Sequence, residues 1–574
     1  MTKHLWALLI ALPAALGNGT AISQTRLVEG SGTTAVQTAT ARHGMVASQE
    51  REATRIGVDI LERGGNAVDA AVAVGFALAV TLPKAGNLGG GGFMMVHLGE
   101  SNENIAIDYR ETAPSATTPE IFLGANGEAD PAKSRDMGLG VGVPGTVAGL
   151  SLALAQFGSG KFTLGELIAP AVRLAREGIP IKDDLYDSLQ LAQPRLAHWP
   201  ATARIFLKPD GTAPPAGEKL VQEQLADTLE TVGREGARAF YVGPIADKIV
   251  ASVREAGGLI TRRDLENYAP VVRNPVFGTY RGYEIVSMPP PSSGGIHLVE
   301  MLNILEGYPS RIIGSGSPAA LHLEIEAMKL AYADRAQYLG DSDRVDVPLD
   351  RLISKSYAAT LRQRIDPRRA QPVRAAPSEV PAGGNTTHFS IVDQSGNVVA
   401  NTYSLNFLYG LGLVAEGTGI LLNNELDDFA AKPGAQNAYG LVGSAANAPG
   451  PGKRPLSSMT PTIVLKDTKP VLVTGSPGGS RIITTVLQVI VNAIDGHMTI
   501  GNAVAAPRLH HQWVPDEVVV EPTFPAPKAR ALGAFGHKLR RDTVFGSAHS
   551  IAVTSEGLVG VADLRSRGAA AAGY

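Results

Sequence analysis

The segment Ala67–Val80 is apolar nearly all the way round, with Val68, Ala71, Val72, Val74, Phe76 and Leu78 distributed over its circumference. A helix of this kind has no face to offer water and must be covered on every side, so the chain has to build layers around it. Gly64-Gly65-Asn66 precedes it, glycine closing one helix and asparagine capping the next, which predicts a helical pair within 49–82. Immediately downstream, Asn87-Leu-Gly-Gly-Gly-Gly-Phe-Met-Met-Val96 drives four glycines into an apolar strand, a composition that permits very close backbone approach. It is not a phosphate-cradling loop: no Gly-Lys-Ser/Thr follows, and Gly158-Ser-Gly-Lys-Phe162 also lacks the hydroxyl.

At 574 residues the chain exceeds a typical domain, yet no compositional break or internal repeat divides it. Charges are interspersed and sum to −3, which favours neither nucleic acid nor an anionic membrane as partner. Residues 1–23 read as an export signal, with Lys3 and His4 before the apolar run Leu5–Leu16, and the mature chain opens near Gln24. That run is too short to span a bilayer, and no later segment is long enough for stable membrane insertion. Export with zero cysteines leaves stability to a large core; periplasmic and secreted destinations are equally open. Between 140 and 370 the pattern is mostly helical, with helices expected over Leu164–Glu177, His297–Leu305 and Ala319–Tyr338.

The chemistry concentrates further on. A Pro-rich, polar linker, Gln371–Gly384, leads into Thr386-Thr-His-Phe-Ser-Ile-Val392, where Thr387, Phe389 and Ile391 alternate with His388 and Ser390. The turn Asp393-Gln-Ser-Gly-Asn397 and the run Val398–Leu405 complete a hairpin. A threonine at the junction of linker and strand is well placed to be a self-exposed nucleophile. Cutting Asn385–Thr386 puts an α-amine, with a pKa of roughly 7.7–8.0, beside the hydroxyl that needs a base. Ser404 and Asn406, two apart at the end of the second strand, are expected on one face. Arg110, at the end of the strand Ile107-Asp-Tyr109, can present a guanidinium to a carboxylate. Asn423-Asn-Glu425-Leu-Asp-Asp428 follows an apolar run. A Gly-, Ala- and Asn-rich loop over 432–451 carries one aromatic residue, Tyr439, and Lys453-Arg-Pro-Leu-Ser457-Ser458-Met459 precedes another strand. Val471-Leu-Val-Thr-Gly-Ser-Pro-Gly478-Gly479-Ser-Arg481 reads as strand, glycine turn and helix start, with backbone amides free to form an oxyanion hole. His510-His511 is the one pattern that suggests a metal. Adjacent side chains rarely converge on one ion and no third ligand is evident, so no metal is assigned.

Taken together, Asn87-Leu-Gly-Gly-Gly-Gly-Phe, Asp108-Tyr-Arg-Glu, Val143-Pro-Gly-Thr-Val-Ala-Gly149, Thr386-Thr-His-Phe-Ser, Leu456-Ser-Ser-Met and Gly475-Ser-Pro-Gly-Gly-Ser-Arg resemble the γ-glutamyltransferases (γ-glutamyl transpeptidases) of the N-terminal nucleophile hydrolase superfamily. The resemblance runs from about Ala47 to Tyr574. It implies an α+β, four-layer αββα sandwich made from two fragments of one autoprocessed precursor. Those fragments are a large subunit, residues 24–385, and a small subunit, residues 386–574. It implies Thr386 as nucleophile, Ser404 as its hydrogen-bond partner, and Gly478 and Gly479 as oxyanion donors. Arg110, Ser457 and Ser458 are expected to hold the donor α-carboxylate, Asn406, Glu425 and Asp428 its α-ammonium, with Tyr439 on a lid spanning 430–451. No cofactor or metal is implied. The partners are a γ-glutamyl donor such as glutathione and an amino acid, peptide or water as acceptor.

Three departures stand out. Ser404 replaces a more usual Thr, Glu425 stands where several relatives have Gln, and Asp563-Leu564-Arg565 replaces Asp-Pro-Arg, a change expected to be structural. Two other readings remain open. One is a cephalosporin (glutaryl-7-aminocephalosporanic acid) acylase on the same scaffold; the other is an exported γ-glutamyl-peptide binding protein without catalysis. A glutaryl group has no α-amine for Glu425 and Asp428 to hold, and a binding protein has no need of Thr386 and the Gly-Gly turn.

Overall fold

A computed structural model describes residues 24–28 as strand backbone, then 35–373 and 385–574. The export segment 1–23 and most of the linker, 374–384, lie outside the described residues. Two antiparallel sheets form the centre. One has the strand order Gln24–Val28, Val36–Ala41, Gly557–Asp563, Ser550–Thr554, Lys469–Thr474, Thr462–Lys466, Tyr283–Ser287, Val276–Tyr280. The other runs Ala570–Gly573, Met45–Ser48, Thr386–Val392, Val398–Ser404, Gly91–Leu98, Glu103–Tyr109, Val271–Arg273.

Three apolar clusters show how the layers stack. Met45, Phe93, Met95, Ala400, Ile463, Val473 and Ile551 pack sheet against sheet. Helices Arg51–Glu62, Ala67–Thr81 and Leu164–Glu177 close the outer face of the second sheet. Helices Gly294–Glu306, Pro318–Tyr338 and Ile482–Ile494 close that of the first. The arrangement is the αββα sandwich expected.

Every residue of Ala67–Thr81 is buried. Its N-terminus is fixed by a capping box in which Asn66 Oδ1 accepts from the Val68 and Asp69 amides while Asp69 returns an acceptor to the Asn66 amide. The Asp393 carboxylate, in the turn of the 386–404 hairpin, accepts from the Ala67 amide at 2.9 Å and so ties that hairpin to the helix start. The hairpin is in register from Thr386↔Ser404 to Val392↔Val398. Its alternation does not separate core from solvent. Phe389 and Ile391 face the helical layer, while buried Ser390 donates to the His549 carbonyl at 2.7 Å. A strand in the middle of four layers buries both faces.

The glycine run does what its composition suggests. A Cβ on Gly90 would sit 2.0 Å from the Ser404 carbonyl oxygen, and the Asn87 side-chain amide bridges to that same oxygen at 2.9 Å. Gly90→Ala is therefore expected to move the end of the hairpin. It should cost at least the ~1–3 kcal/mol of an overpacked core, read as a lower urea midpoint, with slower self-cleavage beside it.

Candidate active site

Thr386 begins its strand with 5% of its surface exposed. Its Oγ lies 3.4 Å from Ser404 Oγ. The Ser404 hydroxyl donates to the Asn385 carbonyl oxygen at 2.8 Å and accepts from the Asn406 amide at 2.8 Å. This is a relay of donors ending on the carbonyl of the Asn385–Thr386 bond, and each link polarises the next. The Asn385 amide donates to the Asn406 carbonyl at 3.3 Å, and its side chain donates to the Lys84 carbonyl. Asn406 itself lies beyond the strand, which ends at Ser404, and adopts φ +76°. A turn, not strand alternation, therefore sets its direction, and through that turn it comes to line the same cavity as Ser404.

A cavity of 20 Å³ opens on one side of Thr386. It is lined by Ser404, Asn406, Glu425, Asp428, Tyr439, Ser457, Ser458 and Gly479, gathering nearly all the residues expected from the motifs. Arg110 lies behind them, fully buried, its guanidinium bonded to Glu425 and Asp428 and to the Pro455 carbonyl at 3.2 Å. The residues assigned to opposite ends of a zwitterion thus meet each other. Burial opposes the Arg110 charge, but Glu425, Asp428 and Glu111 together hold its pKa above the usual arginine range. Burial pushes the carboxyls of Glu425, Asp428 and Glu111 upward. For Glu425, with Arg110 pulling down and Asp428 pushing up, the value is about 7. Glu425 Oε2 is buried and has no hydrogen-bond partner.

Tyr439 covers the cavity. Its hydroxyl donates to Asn406, and a Cβ added at Gly479 would come within 2.8 Å of the ring. Gly478 and Gly479 take φ of +136° and +58°, a backbone path that side chains disfavour. Among the described residues neither amide has a protein acceptor.

One site residue escaped the sequence reading. Arg335, on the helix Pro318–Tyr338, is buried and donates to Ser293 and Ser458 hydroxyls at 3.0 and 3.2 Å. Only its tertiary position brings it here; nothing in its local sequence marks it. His510 and His511 turn to separate partners, Thr484 with Gln512 and Asp516 with the Trp513 amide. His322, Glu326 and His537 do cluster, but His322 bonds His537 at 2.8 Å and Glu326 pairs with Lys329 at 2.9 Å. At the C-terminal motif, Arg565 is bound by Glu521 and Asp563 in a buried network, and Leu564 packs on the inter-sheet core.

With this geometry in place, comparison with known proteins is decisive. A family described as Gamma-glutamyltranspeptidase matches residues 53–573. The chain belongs to the γ-glutamyltranspeptidase family. A glutathione hydrolase proenzyme of Escherichia coli (strain K12) is 50% identical over 93% of this chain and 92% of its own. An Acylase ACY 1 proenzyme of Pseudomonas sp. (strain SE83) is 38% identical over 92% and 93%. Among solved structures, a cephalosporin acylase from Bacillus halodurans superposes with a TM-score of 0.82 at 28% identity, covering 99% of each chain. The proteins this chain resembles thus include ones named glutathione hydrolase and ones named acylase.

Proposed function

We propose that the protein is a self-cleaving γ-glutamyltransferase and glutathione hydrolase. One observation carries the choice of substrate: Glu425 Oε2, buried without a partner on the wall of the donor cavity and backed by Asp428. An unsatisfied carboxylate oxygen there is a costly feature unless a cationic group arrives to meet it. A γ-glutamyl α-ammonium supplies that group. Arg110, with the Ser457 and Ser458 hydroxyls, answers the α-carboxylate, so the donor inserts its own ion pair into the network that now joins Arg110 to Glu425 and Asp428.

Maturation begins with Thr386 Oγ attacking the Asn385 carbonyl carbon, polarised by Ser404. The C–N bond breaks, the proton passes to the departing nitrogen, and water hydrolyses the resulting ester. The free Thr386 amine is then the base. In turnover it accepts the hydroxyl proton as Oγ attacks the γ-carbonyl carbon, and the Gly478 and Gly479 amides take up the oxyanion. The proton goes to the leaving amine, and water or an acceptor amine releases the γ-glutamyl ester. The matured enzyme is a pair of subunits, 24–385 and 386–574, and the leader places it outside the cytoplasm, in the periplasm or beyond the cell. Among the described residues no helix is long and apolar enough to cross a membrane.

Hydrolysis of γ-glutamyl-p-nitroanilide beside its glutaryl counterpart tests the reading. A site with polar groups dedicated to the missing ammonium should disfavour the glutaryl compound by at least about 10²-fold in kcat/KM. Equal rates would return the protein to the acylase reading, and no turnover of either to the binding-protein reading.

A pH dependence follows from Glu425. Its carboxyl is protonated below about 7 and ionised above it, so donor KM should fall as pH rises from about 6 to about 8. Glu425→Gln flattens that step. Because the folded value of about 7 lies above the reference of 4.5, the folded state holds an extra proton between those two values and loses stability as pH rises through that interval. The Gln variant should therefore gain in Tm relative to wild type near pH 8 and not below pH 4.5.

A further inference from the structure

Arg335 is a buried cation that no acid answers. It projects from the helix Pro318–Tyr338, and among the described residues no carboxylate forms an ion pair with it. Its hydrogen bonds go to hydroxyls, from Nε to Ser293 at 3.0 Å and from Nη2 to Ser458 at 3.2 Å. Burial pulls its pKa below the usual arginine range; Asp428 supports the charge from a distance, but that carboxylate is already bonded to Arg110. An interior guanidinium without a counter-charge of its own is costly, and a bound anion is what would offset it.

What Arg335 touches is the pair of serines on the donor cavity wall. Ser458 Oγ accepts from the guanidinium, and a hydroxyl so engaged still has its own hydrogen to give. Ser457 is held in the same sense: the Met459 amide donates to its Oγ at 3.1 Å. The Ser457 carbonyl accepts from the Ser293 hydroxyl at 2.7 Å and from the Ser293 amide at 2.9 Å, and that Ser293 hydroxyl is the one that accepts from Arg335. Both cavity serines therefore act as acceptors toward the protein, which leaves their hydrogens free for an anion. One turn earlier on the same helix face, Tyr332 donates to the Ser480 carbonyl, next to Gly479. A single helix thus braces the serine wall and the glycine turn.

Resting on the proposed γ-glutamyl donor, we infer that Arg335 is a positioning residue that turns Ser457 and Ser458 into a receptor for a full negative charge. It selects donors that keep a free α-carboxylate over those in which that group is amidated. Arg110 does not account for this selection alone, since its guanidinium is shared with Glu425 and Asp428. Arg335 reaches no substrate atom. It fixes the two hydroxyls and sets a positive charge behind them, which a carboxylate senses strongly and a carboxamide hardly at all.

The test uses the full-length, self-processed protein with γ-glutamyl-p-nitroanilide and the same compound carrying an α-carboxamide in place of the α-carboxylate. Wild type should favour the acid by about 10²-fold in kcat/KM. Arg335→Gln keeps a donor for the hydroxyls and loses the charge. It should raise KM for the acid about tenfold, leaving kcat and the amide's KM within about twofold, and Arg335→Lys should restore most of the preference. A change that merely loosened the helix would also disturb the glycine turn and lower kcat on both donors alike. In a Ser458→Ala background, where one of its two links is already gone, Arg335→Gln should raise the acid's KM by no more than about threefold. If Arg335→Gln fails to mature, Ser293→Ala reads the other link and should lower the acid preference about threefold. An unchanged acid preference in Arg335→Gln or in Ser293→Ala, an equal loss on both donors, or full additivity with Ser458→Ala overturns the role of Arg335 and leaves the donor reading standing. A wild type that hydrolyses both donors equally well also overturns it, and one that hydrolyses neither removes the donor reading as well.

Discussion

Thr386→Ala is expected to yield one uncut polypeptide with no γ-glutamyl turnover, where wild type yields two pieces, the smaller beginning at Thr386. The single change removes the attacking oxygen of maturation and the nucleophile of catalysis together. Where acyl transfer has been dissected, loss of the nucleophile lowers kcat by on the order of 10⁶, which here means activity at background. Intact mass under denaturing conditions reads the first effect, and release of p-nitroaniline reads the second. Thr386→Ser keeps an oxygen in the same register opposite Ser404, so it should still cleave, more slowly. A Thr386→Ala chain that still divides at this bond would mean that another group performs the cut.

The second large effect is expected at Arg110. Its side chain is fully buried, bonded to Glu425 and Asp428, and 3.9 Å from Glu111. An arginine that did nothing but hold the donor carboxylate would, as alanine, raise donor KM and spare maturation. The burial changes that expectation. Removing the cation strands three carboxyls, and breaking a buried pair from one side costs about 3–5 kcal/mol. The loss should be smaller in acid, where those carboxyls are protonated and need no counter-charge, and full at slightly alkaline pH; denaturant midpoints at both ends of that range measure it. Arg110→Lys separates the two roles. It keeps one positive charge but cannot bridge two carboxylates with a planar fork. It should therefore mature while losing roughly 10²-fold in donor kcat/KM, the weight of about two charge-assisted hydrogen bonds at ~1.5 kcal/mol each. Unchanged donor kinetics in the lysine variant would remove Arg110 from donor binding.

What could be read in the sequence is what local rules write there. Capping at Asn66, the helix Leu164–Glu177 and the hairpin around Asp393 each depend on residues a few positions apart, and each was placed within a residue or two. The glycines at 89–92 announced close approach because little else explains four in a row. Asn406 marks where such rules end: the alternation was carried two residues past the strand, into a left-handed turn. Arg335 comes from a helix that meets the hairpin and the glycine turn only when the layers close, and no period or spacing records such a meeting. The ion pairs of Arg110 with Glu425 and Asp428 were hidden for a related reason. Chemistry named the partners of a bound zwitterion, whereas the fold pairs those partners with one another.

The order of strands also bears on what the proposed cut at Asn385–Thr386 would do to the molecule. Met45–Ser48, from one side of the cut, is clasped between Thr386–Val392 and Ala570–Gly573 from the other. In the opposite sense, the run from Gly557–Asp563 to Thr462–Lys466 is enclosed by Val36–Ala41 and Tyr283–Ser287. The two products of the proposed cut would be woven through each other, neither retaining a complete sheet to fall back on, so that separation and unfolding would become the same event. Dilution should then not loosen the pair, and the opened bond would relieve the new terminus of its tether while costing the fold none of its integrity.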